Sequence, residues 1–289
     1  MNNKDLYNRR KNIDEEQEYL SHYNIKRYFC PSVSSDIVAF TIQNKGEENY
    51  RKEKDARLML LLIKRGTYPF KGEWALPGGF MREDESIEEC AYREFFEETN
   101  MKPISMKPIG VFSECDRDPR GRIISNAFAS IISGGEGEMI GGDDATDAKW
   151  FEVVFEKKKE NYTLELMNQE ICLAATLKEV RNEFGVKRFE IIKQEGIAFD
   201  HAAIIGTALT SLQRDVVDFE ILFDFLPEKF TLLNLQKVQE TILNQTMQPA
   251  NFRRKIAPFV EETDEYVTGA GHRPAKLYIK KKKREREEL

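Results

Sequence analysis

Two early stretches have the pattern of β-strands: residues 35–42, Ser-Asp-Ile-Val-Ala-Phe-Thr-Ile, and residues 57–64, Arg-Leu-Met-Leu-Leu-Leu-Ile-Lys. The second is apolar at successive positions, so both of its sides are buried and it belongs in the middle of a sheet. The charged segment 44–55 between them reads as a surface loop. A connection over 66–79 carries Pro69, Gly72, Pro77, Gly78 and Gly79, and loops of that length are often functional. A helix is predicted from 86 to about 99, because Ser86 and Glu89 have capping-box spacing and Asn100 stands where a left-handed C-terminal residue is wanted.

Further strand-like segments fall at 104–113, 122–132, 149–154, 162–167, 171–177 and 188–193, and a helix over 200–212 closes this part. Mixed strands with scattered helices predict an α+β or α/β layered domain. After Arg214 the pattern turns to short helices. One covers 219–226 and is stopped by Pro227; a second is capped by Thr231, runs to Asn244 and carries Leu232, Leu235, Val238 and Ile242 on one side; a third begins near Pro249. Two extended pieces, 260–267 and 276–282, are joined by Thr268-Gly-Ala-Gly-His-Arg-Pro274. Three helices and a hairpin in about 65 residues is the winged-helix order. The chain therefore divides into a charged N-terminal extension (1–31), an α+β domain (32–214) and a winged helix with a basic tail (215–289).

Composition adds a charge asymmetry. The 289 residues carry a net charge of −6, yet residues 226–289 hold 13 Lys/Arg against 9 Asp/Glu. An acidic body with a basic end points to two partners of different charge. The longest apolar run, 58–63, is far short of the roughly 20 residues a spanning helix needs. The first residues, Met-Asn-Asn-Lys-Asp, lack the apolar stretch of a signal peptide. Cys30, Cys90, Cys115 and Cys172 form no Cys-x-x-Cys pair, so free thiols in a reducing cytoplasm are expected rather than a zinc site or disulfides.

The helix beginning at Ile87 carries the chemistry. At about 100° per residue, Ile87, Ala91, Glu94 and Glu98 fall on one stripe, with Cys90 and Glu97 to one side. The first half of that stripe is apolar and faces a core; its continuation is carboxylate, aimed inward. Like charges at these spacings repel, and a hard divalent cation removes the conflict, since Mg²⁺ takes carboxylate oxygens, water and substrate phosphate. Such an ion polarises phosphorus and activates water, or one glutamate serves as general base. The competing reading is an ordinary solvated, glutamate-rich face.

The wider spacing favours the first reading. Gly79, five residues, Glu85, seven residues and then Arg93-Glu94-Phe95-Phe96-Glu97-Glu98-Thr99-Asn100-Met101 resembles the Nudix box, preceded by a similar Trp74-Ala-Leu-Pro-Gly-Gly-Phe80 loop. The resemblance implies a loop–helix–loop that binds Mg²⁺ (or Mn²⁺) and cuts nucleoside diphosphates linked to another moiety. It implies Glu94, Glu97 and Glu98 as the metal-ligand and base set, and Glu85 with Arg93 as the ion-paired support. Asn100 replaces the family's closing glycine, a mild departure because asparagine tolerates the left-handed conformation.

At the other end, Asn251, Arg253, Arg254 and Lys255 lie on the third short helix, where a recognition helix meets the major groove. His272, Arg273, Lys276 and the run 280–284 belong to the wing and tail and can neutralise phosphates. A Nudix domain followed by a winged helix resembles the Nudix-related transcriptional regulator family, over roughly residues 32–283. Its further carriers are Tyr68-Pro-Phe-Lys-Gly-Glu73, Asp116-Arg-Asp-Pro-Arg-Gly-Arg122, Gly142-Asp-Asp-Ala145 with Trp150-Phe151, Phe199-Asp-His201 and Leu226-Pro-Glu-Lys-Phe-Thr231. The resemblance implies a Nudix α/β/α sandwich with a mixed sheet, then a winged helix-turn-helix domain. It also implies a homodimer that senses ADP-ribose or a related nucleotide sugar and binds a double-stranded operator accordingly. Many relatives have decayed boxes; this chain keeps every acidic position, compatible with retained hydrolysis of the ADP-ribose pyrophosphatase type.

Candidate ligand-binding residues are Phe70, Trp74, Gly78, Gly79, Arg82, Asp116, Arg117 and Arg120. Phe70, Trp74 and Phe80 either stack on an adenine or belong to the core. Asp116, Arg117 and Arg120 either meet diphosphate and ribose or form a solvated turn. Arg82 meets a phosphate or makes a surface salt bridge. His201 is read as a helix-start residue.

Overall fold

A computed structural model describes residues 15–45, 55–132, 145–169, 171–219, 221–267 and 274–281. Most of the expected loop 44–55, the motif 142–144, His272, Arg273 and residues 282–284 lie outside the described residues. Contacts divide the chain into two compact units, Met1–Ser32 and Val33–Leu289. In the first, residues 15–22 are helical, and Asn24 accepts the Lys26 N–H to open a short 3-10 turn at Ile25–Arg27.

The second unit is built on a sheet whose order is β10-β9-β8-β7-β2-β1-β6-β5. Its inner strands are β1 (Ser32–Lys45) and β2 (Asp55–Arg65), with β7 (Ala145–Lys158) on the far side of β2 and β6 (Ile123–Ile131) beside β1. Outside them stand β8 (Asn161–Asn168), β9 (Ile171–Arg181) and β10 (Lys187–Glu195), and at the other edge β5 (Ser105–Phe112). Two short strands in the proline- and glycine-rich connection, β3 (Trp74–Ala75) and β4 (Gly78–Phe80), pair with β2 and β1. The alternation of side chains across a strand sorts the apolar residues into two cores. Val38, Phe40, Leu58, Leu60 and Leu62 go to one face; Ile37, Ala39, Leu61 and Ile63 go to the other. Burial on both faces explains the unbroken apolar run of β2.

Helix α1 (Ile87–Thr99) covers the second face with Ala91 and Phe95. Both halves of the Ser86–Glu89 capping box form, and Asn100 adopts the left-handed conformation at φ 54°. Helix α2 (His201–Val217) covers the first face and is longer than the sequence pattern suggests. It packs tightly because residue 206 is glycine: a Cβ there would lie 2.7 Å from Leu177 of β9.

The first core continues without a break into the C-terminal part through Phe225, Phe230, Leu235, Val238, Ile242, Phe252 and Ile256. Helices α3 (Leu232–Leu243, capped by Thr231) and α4 (Pro249–Ile256) precede an antiparallel hairpin of β11 (Val260–Val267) and β12 (Ala275–Lys280). The expected helix over 219–226 is instead a 3-10 turn, Leu222–Phe225. Three of its four residues are buried, so no polar face remains for an amphipathic helix, and Pro227 ends the segment.

Candidate functional site

The acidic half of α1 meets the β4 loop. Glu98 accepts the Gly78 backbone N–H at 2.8 Å. Glu94 lies so close to residue 79 that a Cβ there would land on its carboxylate, so glycine is the residue that admits it. Gly78 is likewise forced, with φ 155° and the Ser35 carbonyl where a Cβ would stand. Arg93 braces the group: it donates to Glu85 at 2.8 and 2.6 Å, to Glu94 at 2.6 Å, to Glu97 at 3.1 Å and to the Phe80 carbonyl at 3.2 Å. The Arg93 hydrogen bonds hold the Glu85 carboxyl down at about 2, and the same carboxylates raise the Arg93 guanidinium above its usual value.

Glu94 and Glu98 line a cavity of about 290 Å³ with Ser34, Asp36, Arg65, Gly78, Gly79, Phe80, Arg117, Asp118, Arg120, Phe199 and His201. Asp36 is the buried hub of its inner wall, accepting from Ser125 and, at 3.2 Å, from Arg117. Arg117 also donates to both oxygens of Asp200, at 2.9 and 2.8 Å. Burial works against its charge, but Asp200 and Asp36 prevail and the pKa is raised. His201 accepts the Leu76 N–H on Nδ1 at 2.9 Å and turns Nε2 toward Asp36 at 3.5 Å. Burial pushes its pKa down, so the ring is held neutral with Nδ1 as acceptor. Arg120 donates to Asp118 at 3.0 and 2.7 Å. Burial tends to raise the Asp118 carboxyl, yet the Arg120 hydrogen bonds bring it below its usual value.

Of the residues singled out from the sequence, Glu94, Glu98, Gly78, Gly79, Arg117 and Arg120 therefore share one cavity. Glu97 sits off it, exposed and held by Arg93 and Arg82. Arg82 makes that surface ion pair at 3.3 Å and gives its backbone N–H to Glu85. Trp74 is a core residue, its ring 4.9 Å from Phe151 and buried by the pairing of β3 with β2. Asp116 is exposed and outside the cavity lining. Phe70 lies behind the wall, 4.7 Å from Phe199. Arg117 lines the cavity and is ion-paired there with Asp36 and Asp200. Asp36, Arg65, Asp118, Phe199 and His201 are the cavity residues the sequence pattern missed or gave a different role.

Among the described residues no three His, Cys, Asp or Glu side chains form a ready-made metal cage. Two carboxylates on a polar cavity wall nevertheless suit Mg²⁺, which is held by one or two carboxylates with water and phosphate completing the shell.

In the C-terminal part, Phe252 and Ile256 anchor α4 in the core while Asn251, Arg253, Arg254 and Lys255 are exposed. Lys276 on β12 is held in an ion pair by Glu262 and lies 6.0 Å from the Tyr266 ring centre. The core joins the two regions along α2: its first residue, His201, lines the cavity, and at its far end the Val216 carbonyl accepts Gln239 of α3 at 2.7 Å.

The family profile described as "NUDIX domain" matches residues 49–161, and that described as "NrtR DNA-binding winged helix domain" matches 222–279. The chain is 27% identical to the ADPR responsive transcriptional repressor NtrR of Acinetobacter baylyi, over 93% of this chain and 90% of that one. It is 48% identical to an ADP-ribose pyrophosphatase of Methanocaldococcus jannaschii, over 35% of this chain and 57% of that one. Among solved structures, a MutT/nudix family protein from Enterococcus faecalis superposes with a TM-score of 0.69 at 28% identity, covering 93% of both chains. Shewanella oneidensis NrtR in complex with a 27mer DNA does so with a TM-score of 0.58 at 26% identity, covering 86% of this chain and 93% of that one. The chain thus joins a Nudix domain to an NrtR-type winged helix domain, the domain order of the Nudix-related transcriptional regulators it resembles.

Proposed function

We propose that this protein is a ligand-responsive transcriptional regulator, a homodimer whose Nudix cavity binds ADP-ribose or a related nucleoside diphosphate sugar and whose α4 and hairpin bind operator DNA. The observation that carries this reading is the continuity of one core from the cavity wall through α2 to the helix bearing Arg253 and Arg254. The likeness to the Acinetobacter repressor over nearly the whole chain supports it. A ligand shifts DNA affinity only if it binds the two states of the protein unequally; α2, which starts at the cavity and packs at its far end on α3, beside α4, is the element able to report that difference.

Within the cavity, Glu94 and Glu98 are the residues that would hold Mg²⁺ or Mn²⁺, which when bound would supply Lewis-acid polarisation of a phosphoryl group. The chain's own residues prepare the place. Gly78 orients Glu98, Arg93 holds Glu94, and the Arg117–Asp200 pair fixes the first turn of α2. The test is fluorescence anisotropy on the duplex upstream of the protein's own gene, with and without ADP-ribose. Sequence-specific binding that ADP-ribose alters, and that Arg253→Ala with Arg254→Ala abolishes, is the expected result.

A second activity is favoured by the intact acidic set and by the 48% identity to a pyrophosphatase over 101 residues. Mg²⁺-dependent cleavage of ADP-ribose to AMP and ribose 5-phosphate, lost in Glu98→Gln, would establish it.

A further inference from the structure

Phe199 stands at a point where four side chains meet. The Arg65 guanidinium lies 4.8 Å from its ring centre and that of Arg120 lies 5.5 Å away. The rings of Phe70 and His201 lie at 4.7 and 5.2 Å. The residue itself is half-buried at φ 53°, a left-handed conformation that phenylalanine seldom adopts. Its carbonyl is fixed by Gln194 Nε2 at 2.7 Å. A strained backbone held from both sides at a cavity wall points to a task for the side chain.

The task follows from what a phenyl ring does and does not do. It attracts a guanidinium through its face without consuming N–H donors. Arg117 gives its Nε and Nη2 donors to Asp36 and Asp200 and is buried, whereas the Arg120 side chain is partly exposed. Asp118 takes the Nε and Nη2 donors of Arg120, and among the described residues no hydrogen bond takes its Nη1. Phe80 lies 5.1 Å from the same guanidinium, so Arg120 is set between two rings. Arg65 is steadied by its Nε bond to the Pro69 carbonyl at 2.8 Å. Both guanidiniums thus stand at one ring on the wall of a single cavity, where a diphosphate could meet both.

We propose that Phe199 is a positioning residue that holds Arg65 and Arg120 as a paired clamp for the diphosphate of the ligand, in the same cavity as Glu94 and Glu98. This rests on the reading of the cavity as a nucleoside diphosphate site and adds which groups take the phosphates and what aims them. Phe199 touches no phosphate; it acts through the two arginines. The clamp also gives Phe80 a role, since its exposed ring helps set Arg120 in place rather than serving an adenine.

Calorimetric titration of the full chain with inorganic pyrophosphate in Mg²⁺ tests this, alongside Phe199→Leu, Phe199→Tyr, Arg120→Gln and the Phe199→Leu/Arg120→Gln pair. Phe199→Leu should weaken pyrophosphate about tenfold, and Phe199→Tyr should restore it. Arg120→Gln, on a partly exposed side chain, should fold normally and weaken binding by a similar factor, with the double variant little worse than either single one. Absence of pyrophosphate binding by the wild type, an undiminished affinity in Phe199→Leu, or fully additive losses would overturn the clamp. If the wild type binds pyrophosphate in this pattern but not ADP-ribose, the clamp stands and the proposed ligand falls.

Discussion

Arg93 donates two hydrogen bonds to Glu85, at 2.8 and 2.6 Å, and so ties the loop after β4 to the middle of α1. The Glu85 carboxyl titrates at about 2 in the folded protein against 4.5 for the free side chain, chiefly through these bonds. A depressed folded pKa means that the contribution is present above pH 4.5 and is lost as the pH falls toward 2. Denaturant unfolding between pH 6 and 2 should show this loss in the wild type and a smaller pH dependence in Glu85→Gln.

His201 behaves in the same sense at higher pH. Burial lowers its pKa below the free value of 6.5, so the unfolded chain takes up a proton that the folded chain refuses. Stability should therefore fall as the pH drops below 6.5, until the folded ring also protonates. His201→Ala should remove that slope, and at pH 8 should cost about 1–3 kcal/mol because the buried Leu76 N–H loses its acceptor.

Gly79→Ala places a methyl group on the Glu94 carboxylate. The carboxylate must move, while the surrounding cores are untouched. The expected outcome is a loss of about tenfold or more in Mg²⁺-dependent ADP-ribose affinity, equivalent to roughly 1.4 kcal/mol. Calorimetry with and without Mg²⁺ checks it, and a melting temperature near that of the wild type separates it from unfolding.

Arg253 and Arg254 are exposed on a helix that Phe252 and Ile256 anchor. Replacing either by alanine should change folding stability by no more than about 0.5 kcal/mol. DNA affinity should fall, and the slope of log affinity against log salt should shrink by about 1 for each phosphate contact removed. Anisotropy at several salt concentrations measures both.

The acidic helix was legible because its logic is local: a capping box, carboxylates three and four residues apart, and a glycine at fixed distance all lie within 79–100. The rest of the cavity is assembled from remote strands and loops. His201 and its partner Leu76 are 125 residues apart, so its place at the start of α2 was readable and its place in the cavity was not. Arg117 and Arg120 look alike in a short polar run; both reach the cavity, but only the fold buries the first against Asp36 and Asp200 and leaves the second partly exposed. Trp74 has the appearance of a ligand platform in a glycine-rich loop, yet β3 pairing turns it into the core. The apolar segment 219–226 reads as a helix, but burial of most of its side chains leaves it a 3-10 turn, which local pattern does not reveal.

The central claim is that occupancy of the Glu94–Glu98 cavity controls the winged helix through α2. Its most direct test titrates wild type and Gly79→Ala into labelled upstream duplex, each with and without ADP-ribose in Mg²⁺. ADP-ribose should shift the wild-type DNA affinity by about fivefold or more, the lower range of allosteric coupling, and Gly79→Ala should need about tenfold more ADP-ribose for the same shift. Wild-type affinity that is the same with and without saturating ADP-ribose would contradict it.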